Sequence, residues 1–280
     1  MKADEKAVID YYNRSESKRG YFLFLKGTKH FGYYKSGDKP WQFDKALRQM
    51  EAFLGQKLNL PDGSTVLDAG CGMGDVASYL ATNNKLKIEG IDILDFNITE
   101  AKRRISERGL SKNIHVQLMS YAQMSLQASK FDGAYTMETF VHASDPAKVL
   151  NEFYRILKPG GKLVMFEYSK DPDTKMPEKA AQQFAEMNKM AAMPAFQQFD
   201  HGVLESYMKK AGFEDITVED ITQHMMPMVK VFAYVAFIPY KILTVLGLHR
   251  KAANAMSALV LWRYKGHFRY NVYTAVKSKR

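Results

Sequence analysis

Thr65-Val-Leu-Asp-Ala-Gly-Cys-Gly-Met-Gly74 decides the fold of this 280-residue chain. It reads as a short buried strand that runs straight into a glycine-rich turn. Gly70, Gly72 and Gly74 alternate after Asp68. Glycine meets no steric penalty where the backbone takes positive φ or where a ligand must come close. The spacing is G-x-G-x-G, and the position at which a dinucleotide fingerprint needs its last Gly or Ala is Asp75. Asp68 and Asp75 flank the loop. Carboxylates beside the turn oppose a bound phosphate and suit a cationic ligand.

The next strand, Lys87-Ile-Glu-Gly-Ile-Asp92, ends on a carboxylate about 20 residues beyond the glycines, where it can accept both hydroxyls of a ribose. A ligand that is both cationic and a nucleoside is S-adenosylmethionine, with its amino group and sulfonium. Two further motifs follow, Lys130-Phe-Asp-Gly-Ala-Tyr-Thr-Met-Glu138 and Val149-Leu-Asn-Glu-Phe-Tyr-Arg-Ile-Leu-Lys-Pro-Gly-Gly-Lys-Leu163, and then Ala211-Gly-Phe213 before a strand. With these motifs in this order over residues 60–220, the chain resembles the class I S-adenosylmethionine-dependent methyltransferases.

Hydrophobic patterning agrees. Strands are expected at 65–69, 87–92, 114–118, 131–137 and 162–168, with helices at 75–83, 98–108 and 146–157 between them. Such alternation predicts an α/β fold, a parallel sheet with helices on both faces. The resemblance implies a Rossmann-like, seven-stranded, mostly parallel sheet closed by strands at 213–220 and 270–276. Residues 1–59 are expected to form an aromatic helical cap, with helices at 7–13 and 41–58. The cofactor-binding core is expected at 60–220, with a Met-rich lid insertion at 169–200. A basic, apolar extension takes residues 221–280.

The resemblance also assigns roles. Gly70, Cys71, Gly72 and Gly74 cradle the methionine part of S-adenosylmethionine. Asp68 supports its amino group, and Asp92 and Ile93 hold the ribose and the adenine edge. Relatives usually carry an Asp after the third strand for the adenine amino group. Here the place is Ser120, so Ser120, Tyr121 and Ala122 inherit the contact, with Met137 beyond. Thr136-Met-Glu-Thr-Phe-Val-His142 puts His142 where relatives often hold a base, with Glu138 and Glu167 as assisting carboxylates. Neutral imidazole can take a proton near pH 7. His30 and His201 are lesser candidates, His201 on the substrate side.

Lys29-His-Phe-Gly-Tyr-Tyr34 resembles the segment before the core in sterol 24-C-methyltransferases, tocopherol methyltransferases and alkaloid N-methyltransferases, where an aromatic closes over the cofactor. That places Tyr33 at the cofactor and Tyr34 and Tyr11 at the substrate. Tyr12, Tyr21, Phe31 and Trp41 belong to the same aromatic set, whose faces can stabilise a cation.

The net charge is +10, and all of it lies in the tail. No acidic residue follows Asp220, whereas residues 221–280 hold ten Lys and Arg, leaving 30 against 30 in residues 1–220. A one-sided basic region implies an anionic partner surface. The tail also carries Val231-Phe-Ala-Tyr-Val-Ala-Phe-Ile-Pro-Tyr240 and Ile242-Leu-Thr-Val-Leu-Gly-Leu248, interrupted at Pro239 and Lys241. A spanning helix needs about 20 apolar residues. The interrupted run instead predicts a core or lid helix pair, or peripheral contact of residues 229–262 with an anionic membrane.

Cys71 is the only cysteine, so no intrachain disulfide and no cysteine-based metal site is expected, and no metal. The thiol is read as packing. The opening residues lack an apolar signal core, and a cytoplasmic setting is expected, peripheral to a membrane if the tail docks there. The expected partner is a hydrophobic small molecule: a sterol, terpenoid, lipid or other natural product. The exposed apolar tail also suits a homo-oligomer. A nucleic-acid methyltransferase is the competing enzyme. Long apolar runs between the basic residues and the absence of an Asn-Pro-Pro-Tyr-like motif argue against it. A non-catalytic, membrane-associated scaffold conflicts with the intact glycine turn.

Overall fold

The computed structural model describes residues 3–13 and 25–279. One seven-stranded sheet has the order β3-β2-β1-β4-β5-β7-β6. Its first four strands are β1 (Thr65–Ala69), β2 (Lys87–Asp92), β3 (Ile114–Leu118) and β4 (Phe131–Met137), all paired in parallel. β5 (Leu157–Lys170) adds to β4 in parallel. β7 (Phe268–Lys277) inserts antiparallel between β5 and β6 (Phe213–Asp220). The chain reverses direction across the sheet between β1 and β4, and this switch point opens a crevice at the strands' carboxyl ends.

β5 is longer than the sequence pattern predicts. Lys158-Pro-Gly-Gly161 does not separate helix from strand. Leu157 already pairs with Phe131, a bulge follows, and Gly160 takes φ +78° to absorb the turn. The other end runs to Lys170, two residues past the expected limit.

Helices cover both faces. α1 (Ala3–Asn13) and α2 (Phe43–Leu58) form the N-terminal cap. Residues 20–24 of the aromatic set, Tyr21 included, lie outside the described residues. α2 buries Leu47, Met50, Leu54 and Leu58, spaced at three and four residues so that they share one face. α3 (Asp75–Asn83) follows the glycine turn, and α4 (Asp95–Glu107) leads from β2 to β3. α5 (Pro146–Ile156) begins at Asp145, whose side chain accepts from the Lys148 amide, with Pro146 in the first turn. Beyond β5 come α6 (Glu178–Met190), α7 (Pro194–Gln198) and α8 (Val203–Lys210).

The tail folds as α9 (Thr222–Val245) and α10 (Ala253–Arg263), packed on each other. Pro239 and Lys241 do not end α9: it runs through both as one 24-residue helix. Met225, Met228, Val229 and Ala233 anchor its first half in the core. The second half projects.

Leu54 is fully buried where α2 meets the sheet. Leu54→Ala is expected to lower unfolding stability by about 2–5 kcal/mol, read from the urea midpoint.

Candidate active site

Two adjoining cavities sit at the carboxyl ends of the parallel strands. The smaller, about 110 Å³, lies over the glycine turn between the ends of β1, β2 and β4. The larger, about 360 Å³, is walled by the cap on one side and by α6, α7, α9 and α10 on the other. Tyr12, Lys29, His30, Glu138 and His142 line both and form the neck between them.

The turn is built as a cradle. Gly70 has φ +91°, and a Cβ there would meet the Thr139 side chain at 2.5 Å. At Gly72 a Cβ would meet nothing within 4 Å, which marks open space above the turn. Asp92 fixes the turn from below: its Oδ2 accepts from the Gly72 amide at 2.9 Å and from Asn97 Nδ2, and its Oδ1 accepts from the Leu94 amide. Asp68 is buried, and its Oδ2 has no hydrogen bond. Burial pushes its carboxyl up to about 7, against the lowering influence of the Tyr135 hydroxyl.

Asp75 corrects the charge reading of the sequence. Its carboxylate is paired with Arg104 at 2.8 Å and Arg108 at 2.7 Å, so of the two flanking carboxylates only Asp68 is left without an ion pair. Gly74 does not line the cavity. It takes φ +78° as the residue from which α3 starts. Cys71 lines the cavity, but burial holds its thiol well above the ordinary range, which makes it packing and not a nucleophile.

Ile93, Ser120, Tyr121, Ala122 and Met137 all line the smaller cavity. Ser120 Oγ accepts from the Ala122 amide and so shapes the loop after β3. The Tyr121 hydroxyl donates to the Thr139 carbonyl at 2.8 Å and bridges the crevice from β3 to β4.

His142 is held at both nitrogens. Nδ1 lies 2.7 Å from the Ala192 carbonyl, which can only accept, so Nδ1 carries the proton. Nε2 must then accept, and the Tyr12 hydroxyl donates to it at 3.0 Å. Burial lowers the imidazole to about 4, so it is neutral at pH 7. Beside it, Lys29 Nζ donates to Asn97 Oδ1 at 2.9 Å and lies 4.6 Å from the Tyr12 ring centre. Burial lowers this ammonium to about 8.

Glu138 sits at the neck with φ +58°, a left-handed conformation rare for a residue with a side chain. Its Oε1 accepts from the Phe31 amide and the Tyr270 hydroxyl, and its Oε2 from Tyr168. Burial raises its pKa.

Besides Gly74, four expected site residues lie outside both cavities. Glu167 is fully buried outside both cavities, its Oε1 accepting from Thr136, Thr139 and Phe140, and it acts by holding the loop after β4. His201 bonds Ser169 and faces Asp171 at the far end of β5. Tyr33 stacks on His224 with ring centres 4.1 Å apart. Tyr34 is buried in the small core between α2 and α9, its hydroxyl donating to the Pro40 carbonyl. Tyr11 does line the larger cavity, with its hydroxyl donating to Asn254. Sequence reasoning passed over Lys29, Asn97 and Asn254, and kept Tyr12 only in the wider aromatic set, with no specific role. A lysine and two asparagines beside expected cation-binding carboxylates carry no signal in one sequence.

A methyltransferase-domain family model matches residues 60–229. An S-adenosyl-L-methionine-dependent Diels-Alderase of Talaromyces variabilis is 34% identical, aligned over 98% of this chain and 96% of its own length. An O-methyltransferase of Pyrenophora dematioidea is 27% identical over 72% of this chain and 74% of its own. Among solved structures, the [4+2]-cyclase SpnF superposes with a TM-score of 0.79 at 21% identity, covering 99% of this chain and 97% of that one.

Gly70→Ala is expected to cost at least about 1 kcal/mol of stability through its positive φ, and to displace Thr139 into the crevice. Gly72→Ala, with open space around it, is expected to be milder. Thermal unfolding of the two variants side by side checks the order.

Proposed function

Because the chain belongs to the S-adenosylmethionine-dependent methyltransferase family, we propose that it moves a methyl group to a hydrophobic natural product held in the larger cavity. S-adenosylmethionine, the family's cofactor, supplies when bound an electrophilic methyl group on a cationic sulfur. The residues present fit it. The unpartnered Asp68 Oδ2 suits its ammonium group, the open space over Gly72 admits the methionine part, and Asp92 can receive the ribose hydroxyls. Ile93, Ser120, Tyr121, Ala122 and Met137 are left for the adenine.

The observation that carries the acceptor reading is the continuity of the two cavities. The larger one is lined chiefly by apolar side chains from Leu25 and Phe31 to Phe232 and Leu261, with its ionisable groups at the neck and a smaller polar set, Tyr11, Asn254 and Ser257, toward α10. A greasy molecule with one polar or unsaturated end fits that distribution. Positioning and exclusion of water can supply about 7–11 kcal/mol of such a reaction. At the neck, His142 Nε2 can exchange the Tyr12 hydroxyl for a hydroxyl of the acceptor and hold its proton. Glu138 and Lys29 position the walls, with Glu138 tying Phe31 to the sheet.

A second reading keeps the same site and changes the reaction to a cycloaddition, with the cofactor retained as a fixed cation. The alignment with the Diels-Alderase favours it, since it runs through the cap and tail that wall the larger cavity. His142 and Glu138 also have their polar atoms paired with protein, and a cycloaddition needs no proton removed. Incubation with methyl-labelled S-adenosylmethionine and natural-product extracts separates the two. A labelled product with matching release of S-adenosylhomocysteine supports transfer. A product of unchanged mass, formed only when unconsumed cofactor is present, supports cyclisation. No calorimetric binding of the cofactor sinks both.

Asp68 gives the binding a pH dependence. Its carboxyl is neutral below about 7, whereas an α-amino group stays protonated up to about 8. Cofactor affinity is therefore expected to fall as the pH drops through 7. Asp68→Asn is expected to bind about 10–100-fold more weakly at pH 7.5 and to lose that pH dependence, by calorimetry across the range.

A further inference from the structure

The second half of α9 is the largest exposed apolar feature among the described residues. Tyr234, Phe237, Ile238, Ile242, Val245 and Leu246 all face solvent, Ile238 at 67% and Val245 at 87% exposure. Scattered exposed apolar residues are ordinary, but a contiguous patch marks a contact surface. The charged residues of the segment itself are of one sign. Lys230 and Lys241 on the helix, and Arg250 and Lys251 just after it, are exposed, and no acidic residue occurs in residues 221–280.

We propose that this end of α9 docks the protein on an anionic membrane surface, and that the acceptor enters the larger cavity from there. The proposal deepens the reading of the cavity as a hydrophobic acceptor site and rests on it. Three observations carry it. The cations around the patch complement acidic lipid headgroups, worth about one favourable interaction per Lys or Arg at such a surface. The same charges oppose a second copy as occupant, because a two-fold pairing of identical patches sets basic rims against each other. Val235, Ala236 and Pro239 line the cavity while belonging to the projecting half, and Val235 is 52% exposed. The cavity therefore opens on the patch.

The helix lies in the interface and does not cross it. As a whole, α9 is long and apolar enough to span by composition. Its first half, however, is committed to the core through Met225, Met228, Val229 and Ala233. The projecting helical stretch of 234–245 reaches roughly 18 Å, short of a hydrocarbon core of about 30 Å. Lys241 Nζ lies over the Phe237 ring, 4.5 Å from its centre, a cation–π contact that keeps a positive charge beside the apolar patch.

The test is co-sedimentation of the full chain with vesicles of phosphatidylcholine alone and of phosphatidylcholine with phosphatidylserine. Binding is expected to the acidic vesicles only, weakening as salt rises. Lys241→Gln with Lys251→Gln is expected to reduce it roughly 30-fold. Ile238→Glu with Val245→Glu is expected to abolish it. Both double variants must keep cofactor binding and the unfolding midpoint of the parent, which separates loss of docking from loss of fold. Equal binding to both vesicles, binding unaffected by the variants, or no binding at all overturns the proposal. So does a dimer in sedimentation equilibrium that the Ile238 and Val245 changes dissociate. Cofactor affinity and product formation are read independently, so failure at the membrane leaves the acceptor-site reading standing, and the reverse also holds.

Discussion

Three donors converge on the Glu138 carboxylate: the Phe31 amide and the hydroxyls of Tyr168 and Tyr270. Tyr168 and Tyr270 are cross-strand partners on β5 and β7, and the carboxylate draws the cap segment at Phe31 onto that pair. A buried carboxylate is costly unless it is paired and hydrogen-bonded. The fold meets that requirement only when the segment before α2 lies across the sheet. Glu138 thus fixes the roof, and with it the boundary between the two cavities. Its left-handed backbone is part of the same constraint. The turn after β4 must swing the side chain back toward β5, and Glu167 holds that turn through the amides of Thr139 and Phe140.

Much of this was legible in the sequence, for a physical reason. The bounds of β1, β2, β3 and β4 fall where the pattern puts them, because β1, β2 and β4 are short, largely buried runs closed by a turn or a carboxylate and the edge strand β3 alternates Ile114, Val116 and Leu118 with polar residues. Cofactor-side positions such as Asp68, Gly72 and Asp92 lie on backbone whose course the strand order dictates, and the cavity forms there. The aromatic cap resisted reading. Tyr11, Tyr12, Tyr33 and Tyr34 are chemically alike, and only tertiary packing decides which face inward. Tyr12 enters the neck, while Tyr33 turns to His224 and Tyr34 to the core beneath α2. Glu167 misled for a related reason. A carboxylate at the end of a central strand serves equally to meet a ligand or to cap a loop, and its partners are backbone amides that a sequence does not display.

The tail shows a different limit. Pro239 and Lys241 read as interruptions because each disfavours a continuous apolar helix in isolation. In the fold, the helix is already anchored by four residues of its first half, and packing against α10 supports the rest, so the local cost of Pro239 is absorbed. The apolar residues then divide by position along the helix. Phe232, Ala236 and Pro239 face the cavity, and Ile238, Ile242 and Val245 face out. Composition reports only their sum.

The electrostatics of the neck bear on which reaction the site favours. Burial pushes three groups there toward neutrality, lowering His142 and Lys29 and raising Glu138, whereas at His30 burial is opposed by Glu51 and the pKa rises toward the charged form. Low-dielectric surroundings of this kind strengthen the field of a bound cofactor's charge. That condition serves methyl transfer, where charge leaves the sulfur, and it serves a cycloaddition polarised by a stationary cation. The distinction then falls to His142. If an acceptor displaces the Tyr12 hydroxyl from Nε2, the imidazole gains a proton to hold and transfer gains a base. If the Tyr12–His142 hydrogen bond stays closed, the pair is simply part of the wall, and the larger cavity shapes its occupant without taking anything from it.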